Sequence, residues 1–352
     1  MSKHKEILLV LSPAVFYFGF CYSLDMNRNE LIEFLKSNDL WLKRSMGQNF
    51  LLDQKILPKI VAAAELTPTD TVVEIGPGLG ILTEELAKKA GKVVAIEKDK
   101  RLAEALESRI TNHELWREKV TIINQDALKI HNSEFIIHNS GFKVVANIPY
   151  NITSAVIRKF LEADNKPGLM VLMVQKEVAE RICAKPGEMS LLSVSVQFYA
   201  EPEIVRIVKN TSFFPKPEVD SAIIKLKVKS KIPRLQNYAR PDQISRRSFP
   251  PSAESACDRR NLARARNFAI QEFFRLVKFG FAARRKTLEN NLAAGLHINK
   301  SEASDIIKKA GLAEKVRAQE LSMEDWLELF RHSGLPPRQA EGETGDPEST
   351  IK

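Results

Sequence analysis

The stretch TVVEIGPGLG, Thr71–Gly80, decides the fold. Thr71–Ile75 is a short run dense in β-branched residues, and it passes directly into glycines at alternate positions, Gly76, Gly78 and Gly80. Such a run reads as a strand buried on both faces of a parallel sheet. Glycines at a strand-to-helix turn let backbone approach a ligand closely, and the helix N-terminus beyond favours a negatively charged group. The spacing is GxGxG, not the GxGxxG of dinucleotide binders, and no lysine stands where a P-loop requires one. Taken alone, the turn also admits a purely packing role.

Outward from it the pattern repeats. Lys92–Ile96, Val120–Ile123, Lys143–Ala146 and Leu169–Val174 are further apolar runs, with amphipathic stretches such as Leu82–Ala90 and Lys100–Arg109 between them. This rhythm predicts an α/β fold, a doubly wound sheet with right-handed crossovers. Glu203–Lys209 and Ser221–Val228 add a terminal, hairpin-like pair of β-rich runs. Open α/β sheets bind ligands outside the carboxyl ends of their strands. The second strand ends at Glu97, twenty-one residues after Gly76, where an acid accepts hydrogen bonds from both ribose hydroxyls. The third ends at Asp126-Ala127, suited to the amino group of a bound adenine.

The fourth strand ends in Asn147-Ile148-Pro149-Tyr150, and the chemistry follows from its parts. An exocyclic adenine amine is a poor nucleophile because its lone pair is delocalised into the ring. The Asn147 side-chain oxygen and the Ile148 carbonyl can each accept one N–H, drawing the nitrogen toward tetrahedral geometry. Pro149 stiffens the turn so that both acceptors converge. The Tyr150 ring offers a stacking face for an extruded base, and Phe213, in Phe213–Pro217, is a candidate for the opposite face. Positioning and desolvation then carry the catalysis, without a metal or a strong general base.

The chain has 352 residues, 44% hydrophobic and 28% charged, which excludes a wholly disordered chain, a multi-span membrane protein and a disulfide-stapled miniprotein. Cys21, Cys183 and Cys257 are scattered and form no CxxC pair, as in a reducing compartment without a zinc site. Residues 1–25 hold an apolar run, Ile7–Tyr22, too short to span a bilayer. It reads as a signal-peptide core or, with the rest of the chain cytoplasmic in character, as a leader upstream of a start at Met26. The expected organisation is a catalytic domain over 26–230, a basic linker or insertion over 231–267, a small all-helical domain over 268–333 and a disordered tail over 334–352. Helices are predicted at Gln271–Phe279, Arg284–Leu292, Ser301–Ala310 and Met323–Phe330, with Gly295 and Gly311 at helix ends. Of the formal net charge of +9, the segment Lys231–Asn267 carries nine basic and three acidic residues. Most of the excess therefore lies in the linker, so net charge alone identifies no polyanionic partner.

Together these motifs resemble the bacterial small-subunit rRNA adenine dimethyltransferases, with their macrolide-resistance and mitochondrial relatives. The likeness runs from about Lys43 to Leu292 and more weakly to about Phe330. It includes Gly47–Leu51, Glu74–Gly80, Asn147–Ile152, Phe213–Ser221 and Phe281–Leu288. It implies a Rossmann-type S-adenosylmethionine methyltransferase sheet with a helical C-terminal domain. It implies S-adenosylmethionine as the methyl donor, with Asn49 and Leu51 near its methionine end, Gly76 beside them, Glu97 at the ribose and Asp126 at the adenine. Asn147 lines both cofactor and target. The implied reaction dimethylates N6 of two adjacent adenines near the 3′ end of small-subunit rRNA, within a pre-ribosomal particle and by a monomer with no membrane partner.

Lys43-Arg44 and Arg284-Arg285-Lys286 are the candidate phosphate contacts. Leu79 resembles the housekeeping branch; the resistance branch, acting on large-subunit rRNA, more often has lysine there. Departures from the family pattern are Lys209-Asn210 where Pro-Pro is usual, Met189-Ser190-Leu191 for Tyr-Gly-Arg, and the long 231–267 segment. A nicotinamide oxidoreductase would share the sheet but has no need of Asn147–Tyr150. A non-catalytic rRNA-binding assembly factor would keep the basic cluster while losing the acceptor geometry.

Overall fold

The computed structural model describes residues 28–37, 40, 49–111, 114–130, 141–233, 235 and 259–335. The apolar leader, Lys43 and Arg44, most of the basic segment and the tail beyond 335 lie outside the described residues. The chain divides into two compact units, Met1–Lys176 with Ile204–Leu226, and Glu177–Glu203 with Lys227–Lys352. The division differs from the boundaries expected above in giving Glu177–Glu203 to the second unit.

The described strands are β1 (Phe50–Leu51), β2 (Thr71–Ile75), β3 (Lys92–Glu97), β4 (Val120–Asn124), β5 (Phe142–Asn147), β6 (Leu169–Gln175), β7 (Ala200–Val208), β8 (Phe213–Phe214) and β9 (Ser221–Val228). Seven of them form a sheet in the order β4-β3-β2-β5-β6-β9-β7, and β1 pairs with β8 in a separate antiparallel ribbon. The pairs β3–β4, β2–β3, β2–β5 and β5–β6 are parallel, as the alternation of strand and helix predicts. All five residues of β2 are buried. Helices pack on them through periodic apolar faces, such as Leu102, Ala103, Leu106 and Ile110 of the helix Lys100–Thr111. Strand order reverses at the β2–β5 pair, because β3 and β4 extend the sheet one way and β5 and β6 the other. A crevice opens at such a switch point, here flanked by Gly76 after β2 and Asn147 at the end of β5.

The glycine turn is dictated by sterics. Gly76, Gly78 and Gly80 adopt φ of +68°, +57° and +82°, a left-handed region costly for residues with a Cβ. A Cβ on Gly78 would lie 2.8 Å from Phe50 Cε1, and one on Gly80 2.4 Å from Leu106 Cδ1. Gly76 has more room, with Pro149 Cδ nearest at 3.8 Å from the added carbon.

In the second unit, Phe198 stacks on Phe273 at 5.1 Å and Phe273 meets Phe330 edge-on at 5.7 Å. The helix Arg259–Gly280 begins inside the segment read from sequence as linker. The next helix is Leu288–Leu296, so Arg284-Arg285-Lys286 lie in the turn before it, not at its start. Asn291 explains the shift: its Nδ2 donates to the carbonyls of Gly280 and Ala283, holding the turn at the end of the preceding helix. Gly295 stands in the last turn of this helix, one residue before its end at Leu296, and a Cβ there would sit 2.4 Å from Phe279 Cγ. Gly311, with φ of +73°, does follow the helix Lys300–Lys309. No helix among the described residues is long and apolar enough to cross a membrane.

Leu106 is 1% exposed and cannot retreat from a new methyl group at Gly80. Gly80→Ala is therefore expected to destabilise the first unit by roughly 2–4 kcal/mol, from left-handed strain plus overpacking. Urea unfolding measures this; a loss below ~1 kcal/mol would show that the turn relaxes freely.

Candidate active site

A cavity in the first unit lies along the carboxyl ends of the parallel strands. Asn49 and Leu51, Gly76, Glu97, Asp126, Asn147 and Tyr150 all line it, so most of the residues singled out from the sequence converge there. Its walls also include Phe50, Leu79, Lys98 and Ile148.

Glu97, the last residue of β3, is braced on both oxygens. Oε2 accepts the Gly78 N–H at 3.2 Å and Oε1 the Asp99 N–H at 2.9 Å. Burial raises its pKa, and these two backbone donors oppose the rise. Each carboxylate oxygen keeps a second lone pair for a ligand hydroxyl. Asp126 lies two residues past the end of β4 and is a different kind of acceptor. The Lys98 ammonium, 2.8 Å from its Oδ2, holds it below the usual carboxylate range, while Oδ1 accepts the Leu128 N–H at 3.0 Å.

Asn147 ends β5 with its amide orientation fixed by its partner. Nδ2 donates to the Asn49 carbonyl at 3.2 Å. A carbonyl only accepts, so the nitrogen must face it, and Oδ1 remains as the free acceptor end of the side chain. Pro149 (φ −54°) then leads into the short 3₁₀ turn Tyr150–Ile152, and the Tyr150 hydroxyl meets Ser221 Oγ at 2.5 Å.

Phe213 is placed differently from the sequence expectation. It pairs with Leu51 in the β1–β8 ribbon, is 3% exposed and belongs to the apolar core with Leu57, Ile60 and Met173. It does not line the cavity. The ribbon nevertheless ties its loop to the cavity wall, since Leu52 N–H and Asp53 N–H both donate to the Ser212 carbonyl. Arg284, Arg285 and Lys286 belong to the second unit and are exposed.

Two residues carry roles that the sequence reading did not assign. Lys98 follows Glu97 directly, and only the fold brings it to Asp126. Glu74, quoted within the glycine motif, is 1% exposed with its Oε2 lacking a hydrogen-bond partner. Burial pushes its carboxyl from 4.5 up to about 8; the Thr83 side chain pulls the other way and the charge of Glu97 adds to the rise. In the folded chain Glu74 is thus neutral at pH 7, whereas in the unfolded chain it is ionised above pH 4.5. The unfolded state then binds fewer protons, so this group lowers stability as pH rises from 4.5 to about 8. Glu74→Gln removes the titration. Its stability relative to the parent chain is expected to improve by a few kcal/mol (order of magnitude) between pH 5 and pH 8. Denaturant unfolding at the two pH values checks this, and a pH-independent difference would contradict it.

Comparison with known proteins gives the family. The family model for ribosomal RNA adenine dimethylase matches residues 40–254. A ribosomal RNA small subunit methyltransferase A from Dehalococcoides mccartyi is 42% identical over 297 residues, covering 84% of this chain and 90% of the relative. One of the same name from Clostridioides difficile is 36% identical, covering 86% and 94%. Among solved structures, a dimethyladenosine transferase from Plasmodium falciparum aligns with a TM-score of 0.61 at 26% identity, covering 82% of this chain and all of that one. The 23S rRNA methyltransferase ErmE aligns with a TM-score of 0.58 at 26% identity, covering 80% and 98%. The chain therefore belongs to the ribosomal RNA adenine dimethylase family.

Proposed function

We propose that this protein is the small-subunit rRNA adenine N6,N6-dimethyltransferase of its cell, using S-adenosylmethionine to dimethylate two adjacent adenines near the 3′ end of that RNA. The observation that carries the reading is the orientation of Asn147. Its nitrogen is committed to the Asn49 carbonyl, which leaves its oxygen as the acceptor end of a residue that lines the same cavity as Glu97 and Asp126. The relatives of 36–42% identity described above are both named for the small subunit, which favours the housekeeping reading over the resistance one.

The residues present fit the cofactor. Glu97 offers buried, backbone-braced acceptors for two ribose hydroxyls, and ionised Asp126 an acceptor for an adenine amino group. Asn49, Leu51 and Gly76 would hold the methionine end. When bound, the sulfonium supplies an electrophilic methyl group.

The chain's own contribution is to prepare the target amine. Asn147 Oδ1 and the Ile148 carbonyl accept its two N–H groups, localising the lone pair and aiming it at the methyl carbon. Tyr150 stacks on the extruded base. After transfer the nitrogen is cationic and acidic, so its proton leaves without a strong base. A second round requires that the acceptors tolerate an amine bearing one methyl. We assign phosphate contacts to Lys43, Arg44, Arg284, Arg285 and Lys286. The substrate is taken to be a pre-ribosomal particle in the cytoplasm and the enzyme a monomer.

The test is labelled S-adenosylmethionine with small-subunit particles from a strain lacking the modification. Label is expected in dimethyladenosine; none at adenine N6 would refute the reading. Asn147→Ala is expected to reduce transfer at least ~100-fold, as loss of a positioned acceptor does, while rRNA binding stays within about two-fold. Transfer at the parent rate would remove Asn147 from the site.

A further inference from the structure

Ser221 opens β9 and is completely buried. Its hydroxyl lies 2.5 Å from the Tyr150 hydroxyl, seventy-one residues earlier in the chain. The mount on which it sits is rigid. The carbonyl of the preceding Asp220 accepts the Lys176 N–H at 3.0 Å. The Asp220 carboxylate accepts the Asn210 N–H and the Lys209 ammonium, each at 3.0 Å. Beyond it, Ala222, Ile223 and Ile224 are fully buried in the sheet.

Tyr150, by contrast, is half-buried on a short 3₁₀ turn at the cavity wall. Its backbone fixes only one end of the side chain. A phenol ring with a free hydroxyl end would turn about its side-chain bonds and present its face at varying angles. The Ser221 hydroxyl holds the far end.

We propose that Ser221 is a positioning residue for the methyl-transfer reaction, acting through the Tyr150 hydroxyl to set the face on which the target base stacks. The inference rests on the function assigned above. It also gives the Phe213–Ser221 loop a second task. That loop anchors the cofactor wall through the β1–β8 ribbon and the stacking ring through Ser221, so both halves of the site refer to one segment.

The experiment compares the full-length parent chain with Ser221→Ala, Tyr150→Phe and the double variant, measuring kcat and the KM for S-adenosylmethionine on unmodified small-subunit particles. Each single variant is expected to lose about 2- to 12-fold in kcat, the range of one neutral hydrogen bond, with KM for S-adenosylmethionine unchanged within about two-fold. The double variant is expected to lose no more than either single one, because both remove the same contact. Ser221→Thr, which keeps a hydroxyl, should recover part of the loss. Parent-level kcat in Ser221→Ala, multiplicative losses in the double variant, or a rise in KM alone would overturn the proposal. Tyr150→Phe leaves β9 untouched and decides the matter if Ser221→Ala fails to fold: parent-level kcat there overturns it equally. Absence of transfer by the parent chain is a different outcome, since it refutes the function on which the inference stands.

Discussion

The site depends on a turn that requires glycine at alternate positions. Between β2 and the following helix the backbone takes left-handed conformations at Gly76, Gly78 and Gly80, and Phe50 and Leu106 pack into the space that Cβ atoms on Gly78 and Gly80 would need. The consequences spread from there. The Gly78 N–H is free to brace Glu97, which fixes the acid at the end of β3. Gly76 lies opposite Pro149, so the turns after the two strands flanking the switch point meet across the mouth of the crevice. Phe50, held against Gly78, belongs to the β1–β8 ribbon and carries Asn49 and Leu51 with it.

A second constraint couples the two halves of the cavity. The Asn49 carbonyl orients the amide of Asn147, so the segment leading into β1 fixes the polarity of the side chain that ends β5. The loop from Ser212 to Ser221 closes the circuit through Asp53 at one end and Tyr150 at the other. Electrostatics within this small volume are sorted by environment. Asp126 beside Lys98 stays ionised, while Glu74 beneath the turn is neutral at pH 7. Two carboxyls of similar intrinsic acidity thus present opposite charge states in one cavity.

What was legible in the sequence was whatever depends on local pattern. The five apolar runs became the parallel strands nearly to the residue; β2, β5 and β6 show the continuous apolar signature of burial on both faces, whereas β4, at the sheet edge, is only partly buried. Glu97 and Asn147 could be placed because they end those strands, and strand ends are where such sheets bind ligands. Other features depend on chain segments meeting far apart in sequence. The burial of Phe213 against Leu51 and Met173 could not be read from its aromatic character, which suits a core and a stacking platform equally. Gly295 stands at a helix end as its type suggests, but the close approach of Phe279 that also requires glycine there is not visible in the sequence. The start of the helix at Leu288, four residues later than the pattern suggested, is set by the side chain of Asn291 reaching back to Gly280. Ser221 was visible only as the end of a motif; its role needs the return of the chain beside Tyr150.

We propose that the cavity at the β2–β5 switch point binds the methyl donor with its ribose on Glu97. A crystal structure of the chain with S-adenosylmethionine tests this most directly. Both ribose hydroxyls are expected within hydrogen-bond distance of the Glu97 carboxylate, the adenine amino group on Asp126, and Asn147 Oδ1 facing the side of the cavity where the methyl group points. A cofactor bound elsewhere, or bound here with Glu97 still contacting only the Gly78 and Asp99 amides, would contradict it.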